Sequence, residues 1–220
     1  MSSISDLLAA TAHDVFKRET HDPWKEVEKA GLMDISDDVS VADIATMVRI
    51  SAYYGTEIEF AERVMLPQAD DVVRGALMRS VQIAGALSRV VEMTTSYARD
   101  RQQFGLPLNR FQAVQQQIAI LAGEAAAADA AVEAAVNSPD DRQLIATAKV
   151  RAGKAAGLAA TIAHQVHGAV GFTHEHALHR WTTKLWRWRD DFGTESVWAR
   201  ELGHKILAAG PDGSWEFIAG

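Results

Sequence analysis

One helical period dominates the middle of this chain and limits what the chain can fold into. Small, apolar and a few polar residues recur every three or four positions along a single face. They are Leu77, Ser80, Ala84, Leu87, Val91, Thr94, Ala98 and Arg101. This spacing is typical of an amphipathic helix that packs through one face. No stretch of the sequence shows the alternation expected of a half-buried β-strand, so we predict an all-α protein.

Two further long helices follow the first one. The first helix is predicted to stop near Gly105 and Pro107, because glycine accepts a left-handed cap and proline resists continuation. The next helices are predicted at about 109–136 and 140–167. Shorter helices are predicted at 2–17, 23–31, 40–54 with Ser40 as the N-cap, 175–189 with Thr173 as the cap, and 194–209, with a loop at 34–38 and a connector at 66–75. We divide the chain into an N-terminal helical segment, 1–75, and a C-terminal bundle of long antiparallel helices, 76–220.

Composition excludes several classes of function. The chain has 220 residues, a formal net charge of −7 and no cysteine. The absence of cysteine excludes disulfides, cysteine-ligated zinc and a thiol nucleophile. The negative charge argues against general affinity for nucleic acid or for an anionic membrane, and no apolar run approaches the roughly 20 residues that span a bilayer. We expect a soluble, cytoplasmic protein.

The segment around Arg101 combines groups that suit a phosphate-bearing planar ligand. Arg101, Phe104 and Gly105 lie where the first long helix meets a loop, and Phe111 and Gln112 follow. A guanidinium donates two parallel hydrogen bonds to a pyrophosphate, and an adjacent ring can stack on a planar group. The alternative is that Arg101 caps the helix and Phe104 fills the core.

A second segment, Gln165–Gly171, lies at the predicted end of the third long helix. Small residues at a helix end leave backbone N–H groups accessible to an anion. The alternative is a helix that simply ends in a turn.

Together these segments resemble the acyl-CoA dehydrogenases, and the stretch SYARDRQQFGLPLNRFQAVQQQIA at 96–119 is the main evidence for it. The resemblance covers nearly the whole chain and is strongest over 76–203. The resemblance implies that the first segment reaches across a subunit interface to the FAD of a partner. It also implies that the second segment binds the adenosine diphosphate half of FAD, although Ala169 replaces the usual second glycine there. The implied cofactor-binding residues are Arg101, Gln103, Phe104, Phe111, Gln112, Gln165, Gly168 and Ala169.

The catalytic glutamate of that family has no counterpart at either of its usual places. By the resemblance, one place immediately precedes Gly193-Thr194 and is occupied by Phe192, while the other lies near Gly75. Asp191 or Glu195 stays open as a substitute, although Asp190 and Asp191 are expected to be solvated or paired with Arg187 and Arg189. The β-domain that covers the flavin ring in the family is also missing. We therefore predict no catalytic residue in this chain.

The resemblance implies a subunit of an FAD-dependent acyl-CoA dehydrogenase, in a heterodimer or heterotetramer. A partner subunit would supply the glutamate and the pocket for the flavin ring. The heteromeric dehydrogenases of actinobacterial steroid catabolism are similar, which suggests a steroid-derived acyl group. Two alternatives stay open: a scaffold that binds no flavin, and a homo-oligomeric enzyme that uses another carboxylate.

Two other groups of side chains have more than one interpretation. His174, His176 and His179, and likewise His164 and His167, have spacings that can share a metal. No fourth ligand is specified, so we predict a polar helix start and no metal site. A tryptophan cluster favours core packing, with a subunit interface as the alternative: Trp181, Trp186, Trp188 and Trp198.

Overall fold

The computed structural model describes residues 4–18, 22–33, 39–56, 60–65, 72–173 and 176–219, and these form helices joined by short connections. The helices are α1 Ile4–Lys17, α2 Pro23–Lys29, α3 Val41–Tyr54, α4 Phe60–Met65, α5 Val72–Asp100, α6 Gln112–Asn137, α7 Arg142–His167, α8 Leu178–Asp190 and α9 Glu195–Ala219. Between α5 and α6 lie two antiparallel strands of two residues each, β1 Gln102–Gln103 and β2 Leu106–Pro107, and a 3-10 turn at Leu108–Arg110. A second 3-10 turn follows α7 at Gly168–Phe172. The all-α prediction is confirmed.

The N-terminal helices have clear local signals. Ser40 caps α3 through a reciprocal capping box with Asp43, as predicted for that position. Gly55 ends α3 in the left-handed conformation, with φ of 66°. Helix α4 was not predicted, because its six residues show too little of the helical period. The predicted loop at 34–38 lies outside the described residues.

Helices α5, α6 and α7 pack against one another as the centre of the bundle, and α3 packs across α5. Helices α5 and α3 cross so closely that only glycine fits at position 85. A Cβ at Gly85 would lie 2.2 Å from the carbonyl oxygen of Arg49. The buried face of α7 consists mainly of alanine, which lets its neighbours approach closely. The two antiparallel connections place the end of α5, the start of α6 and the end of α7 at one end of the bundle.

Several predicted boundaries were wrong. Helix α5 begins at Val72, so residues 72–75 are helical and only residues 66–71 separate α4 from α5. Helix α8 begins after Ala177, which makes no side-chain cap, whereas the Thr173 hydroxyl donates to the Val170 carbonyl within the preceding turn. Helix α9 continues past 209 as a second helical segment, after a break at Gly210 where φ is 72°.

The tryptophan cluster divides between core and surface. Trp181, Trp188 and Trp198 are buried, as core packing requires, and the Trp181 indole N–H donates to the carbonyls of Ala52 and Tyr53. Trp186 is exposed. Within the described part of the chain, no helix combines the length and the apolar character that crossing a membrane requires.

Candidate functional site

The junction between α5 and α6 is a tight hairpin rather than a helix cap. The Arg101 N–H donates to the Tyr97 carbonyl at 2.8 Å, and the Leu108 N–H donates to the Arg101 carbonyl at 2.9 Å. Phe104 and Gly105 form the turn between the two strands, with φ of 53° and 78°. The prediction that Gly105 caps the helix was therefore wrong, because α5 ends at Asp100 and the glycine is used in the hairpin turn.

The hairpin presents a cation and an aromatic ring to the outside. Phe104 is 92% exposed, so the alternative that it fills the core was wrong. Its ring centroid lies 6.3 Å from that of Phe111, with the planes nearly perpendicular. Arg101, Gln103 and Gln112 are also exposed. Among the described residues, no side chain pairs with the Arg101 guanidinium, which leaves it available to a ligand or another subunit.

The end of α7 forms the second part of this surface. Gly168 ends the helix with φ of 62°, and its N–H donates to the His164 carbonyl. No atom lies within 4 Å of a Cβ built at Gly168. Ala169 is exposed in the following 3-10 turn. Gln165 is exposed as well, and its side-chain oxygen accepts a hydrogen bond from Gln117 at 3.0 Å.

The fold brings the two predicted motifs to the same end of the bundle. Gln117 of α6 reaches Gln165 of α7, and the Tyr97 hydroxyl of α5 donates to the His167 carbonyl at 3.2 Å. All eight predicted cofactor residues lie at the end of α5, the start of α6 or the end of α7, which these contacts join. Their proposed roles toward FAD stay predictions.

A second region of interest surrounds Phe192, which lies between α8 and α9. Its ring packs directly on Gly75 at the start of α5, since a Cβ built at Gly75 would lie 2.3 Å from Phe192 Cδ1. The Phe192 carbonyl accepts a hydrogen bond from the Trp198 indole at 3.0 Å. The two positions at which the resemblance places a catalytic base are therefore in contact, and neither carries a titratable group.

A buried arginine completes this second region. The Arg79 side chain is 7% exposed, and its Nε donates to Asp191 at 2.9 Å while its Nη1 donates to Gln82 at 2.6 Å. Arg79 also pairs with Glu62. Its guanidinium lies 5.7 Å from the centroid of the Phe192 ring. Two carboxylates and an amide thus satisfy a cation that would otherwise be buried alone.

Asp191 was expected to be solvated or paired with Arg187 or Arg189, and this prediction was wrong. Asp191 pairs with Arg79 because the turn after α8 brings it over the start of α5. The sequence patterns did not single out Arg79. Its signal is that it is the one charged residue in the run 75–87.

The remaining charged groups near Phe192 hold the structure of this region. Arg189 pairs with Glu195, with its Nε 2.9 Å from the carboxylate, and this hydrogen bond keeps the pKa of Glu195 below its ordinary value. A carboxylate held in this way is a poor proton acceptor. Lys149 is fully buried, and its ammonium donates to the carbonyls of Trp188 and Arg189 at 2.9 Å each. Burial lowers the pKa of Lys149 to about 8.

Three histidines lie at the end of the bundle that carries the two predicted motifs. Burial lowers the pKa values of His164, His167 and His176 below their ordinary value. His176 is partly buried, and its ring packs against that of His167 with centroids 4.6 Å apart. Within the described residues, no group of three histidine, aspartate or glutamate side chains has an arrangement that could hold a metal ion. His174 lies outside the described residues.

Much of the chain has relatives among known proteins. Residues 71–201 match the family described as acyl-CoA dehydrogenase, C-terminal domain. The acyl-CoA dehydrogenase IpdE2 of Mycobacterium tuberculosis is 36% identical over 104 residues, which make up 47% of this chain and 32% of that protein. The chain therefore matches well under half the length of that relative.

Solved structures share the whole fold. A chain of the ChsE4-ChsE5 complex from Mycobacterium tuberculosis matches with a TM-score of 0.84 and 15% identity, covering 96% of this chain and 99% of that one. A chain of the Tcur3481-Tcur3483 steroid ACAD matches with a TM-score of 0.80 and 14% identity, covering 93% and 98%. At these identities the likeness establishes the fold, in which the N-terminal helices lead directly into the long bundle.

Proposed function

This chain belongs to the acyl-CoA dehydrogenase family, and we propose that it is a subunit of an FAD-dependent enzyme whose catalytic base lies on another polypeptide. The reaction of the complex is the α,β-dehydrogenation of an acyl-CoA thioester. The observation that carries this proposal is a contrast between two regions. The end of the bundle with the two predicted motifs is exposed, whereas the position of the family's catalytic base is filled by packing. The similar structures, named as a ChsE4-ChsE5 complex and as a steroid ACAD, support a heteromeric assembly and a steroid-derived acyl group.

The exposed residues suit the nucleotide half of FAD, which, when bound, supplies the hydride acceptor of the reaction. The Arg101 guanidinium would donate to the pyrophosphate, and the exposed Phe104 ring would cover a planar group. Gln103, Gln112 and Gln165 offer amide donors and acceptors. The backbone around Gly168 and Ala169 is open to a ligand, because nothing lies within 4 Å of a Cβ at Gly168. Phe111 supports Phe104 through its ring contact.

The spacing along α5 argues that this FAD extends into a partner subunit. Gly75 lies near the start of α5, and Arg101 immediately follows its last residue. The two are therefore 26 residues apart along one continuous helix. At about 1.5 Å per residue this separation is about 39 Å. A single FAD cannot place its pyrophosphate at Arg101 and its ring near Gly75. Arg101 therefore serves a cofactor whose ring pocket is formed by the partner.

The region near Gly75 cannot remove a proton from a substrate. Phe192 fills the space next to Gly75, and the neighbouring carboxylate of Asp191 is committed to Arg79. Glu195 is committed to Arg189. These contacts support the proposal that the partner carries the glutamate and most of the acyl-CoA site. They count against a homo-oligomeric enzyme that uses one of these carboxylates.

The test is co-expression with a candidate catalytic subunit, followed by measurement of flavin content and affinity in the purified complex. Arg101→Ala is expected to weaken FAD binding by about 1.5–3 kcal/mol, because a charge-assisted phosphate contact is lost. Arg99→Ala is the matched control. Arg99 lies two positions before Arg101, is exposed and pairs with Asp100, so this variant should retain flavin.

The outcomes separate the proposal from its alternative. A yellow complex that loses flavin with Arg101→Ala and not with Arg99→Ala supports the proposal. A stable complex without flavin contradicts it and favours the scaffold. Equal flavin affinity in the wild type and Arg101→Ala contradicts the role of Arg101.

A further inference from the structure

One aromatic contact inside the bundle end joins the two proposed cofactor motifs. Tyr97 lies one helical turn before Arg101 on α5, and His167 immediately precedes Gly168 at the end of α7. Their rings stack with centroids 4.3 Å apart and planes 25° apart. The contact therefore connects the last turn of α5, just before Arg101, to the residue just before Gly168.

Tyr97 also holds the peptide unit that leads into Gly168. Its hydroxyl donates to the His167 carbonyl at 3.2 Å. That carbonyl shares one planar peptide unit with the Gly168 N–H, and the N–H donates to the His164 carbonyl. Because both ends of this rigid unit are held, the direction in which the left-handed Gly168 starts its turn is fixed.

His167 is itself held on several sides. Its side chain is 2% exposed, and its Nδ1 lies 2.7 Å from the Ala163 carbonyl, so Nδ1 carries the proton and donates it. Within the described residues, Nε2 is buried without a hydrogen-bond partner. His176 packs against the ring from the start of α8. The imidazole is thus fixed in place, and the Tyr97 ring stacks on its face.

We propose that Tyr97 and His167 are positioning residues, which set the spacing between the Arg101 guanidinium and the Gly168–Ala169 backbone. This inference rests on the proposed function, because the spacing matters only if both motifs hold the same cofactor. The buried His167 ring acts through its neighbours and does not itself contact the cofactor. No residue pattern of the first motif or the second predicts this link, since the two residues are 70 positions apart.

The experiment measures FAD affinity in the purified complex with the catalytic subunit for substitutions at Tyr97. Tyr97→Phe keeps the ring and loses the hydrogen bond, so it is expected to weaken FAD binding about 3- to 10-fold. Tyr97→Leu loses the stack as well and is expected to weaken binding more than about tenfold. Tyr53→Phe is the control, because it removes a hydroxyl that contacts Glu92 on a different part of the bundle.

A double-mutant cycle with Arg101→Ala distinguishes positioning from a general structural role. If Tyr97 acts by placing Arg101, Tyr97→Leu causes a smaller further loss of affinity in the Arg101→Ala background than in the wild type. Equal losses in both backgrounds, or unchanged affinity in Tyr97→Leu, overturn the inference while the proposed function stands. A wild-type complex without flavin overturns both.

Discussion

The two ends of helix α5 have opposite surfaces. At its start, Gly75 is buried beneath the Phe192 ring, and the buried Arg79 is neutralised by carboxylates. Just beyond its other end, Arg101 and Phe104 are exposed, and no described side chain pairs with the cation. The residues proposed to bind the cofactor are accessible, whereas the place at which this family carries its catalytic base is closed by packing. The difference supports the proposal that this chain contributes to cofactor binding while a partner carries the base.

The same contrast between the two regions is seen in two phenylalanines. Phe104 and Phe192 are the non-glycine residues with left-handed φ in the described chain, at 53° and 56°. That conformation costs a residue with a Cβ about 1–2 kcal/mol. Packing against Gly75 offsets the cost at Phe192. Nothing comparable does so at Phe104, whose ring is almost fully exposed. A strained residue without packing is typical of a site that contacts something outside the chain.

The largest effect is expected where the filled end holds its buried charge. Arg79→Met removes the cation that Asp191 pairs with and leaves Glu62 with only the more distant Arg187, 3.9 Å away. Breaking such a buried network costs about 3–5 kcal/mol. Both carboxylates are partly exposed, so we expect a value near the lower limit. Urea unfolding of the purified chain measures this change in the free energy of unfolding.

The control for Arg79 lies on the same helix. Arg99 pairs with Asp100, but both side chains are about two-thirds exposed. Because exposed pairs contribute about 0–1 kcal/mol, Arg99→Met should leave stability almost unchanged. Similar losses for the two variants would contradict the contrast between the two ends of α5.

An intermediate effect is expected from adding one methyl group to the filled end. Gly75→Ala would place a Cβ 2.3 Å from the Phe192 ring, and overpacking of this kind costs about 1–3 kcal/mol. In a Phe192→Ala background the same substitution should instead stabilise the chain by up to about 1 kcal/mol, because alanine favours helix more than glycine does. Urea unfolding of the four variants gives the coupling energy between the two positions.

Gly123→Ala on α6 is the matched control for this methyl group. No atom lies within 4 Å of a Cβ at Gly123, so the substitution should stabilise the chain by about 0.5–1 kcal/mol. If Gly75→Ala has the same effect with and without the Phe192 ring, the ring does not close this position in solution.

Local signals predicted much of the fold and of the exposed end. The three-and-four spacing along α5 gave a long helix, and Ser40 with Asp43 gave the start of α3. The motif around Arg101 lies within a few residues of sequence, so its exposed arrangement depends on local turn chemistry. Local patterns fail where they are ambiguous, as at Gly105, which suits a helix cap and a hairpin turn equally well.

The filled end could not be predicted in this way, because its contacts join distant parts of the chain. Arg79 meets Asp191 from 112 residues away, and Glu62 from 17. The resemblance identified Phe192 and Gly75 separately as positions without a base. The structure adds that the turn after α8 packs against the start of α5. As a result, the Phe192 ring occupies the space beside Gly75.

The smallest effect is expected from glycine in place of the exposed strained phenylalanine, Phe104, and the same change at Phe192 should have the opposite sign. Phe104→Gly removes the left-handed strain and loses only the ring contact with Phe111, so it should stabilise the purified chain by at most about 1 kcal/mol after the entropy cost of glycine. Phe192→Gly removes the same strain but also the ring that covers Gly75, and should cost about 2 kcal/mol. Urea unfolding measures both. In the complex, Phe104→Gly should weaken FAD binding despite the gain in stability, because the exposed ring is held for a ligand. If Phe104→Gly destabilises the isolated chain, the ring has a packing role there, and the contrast between the two ends of α5 is lost.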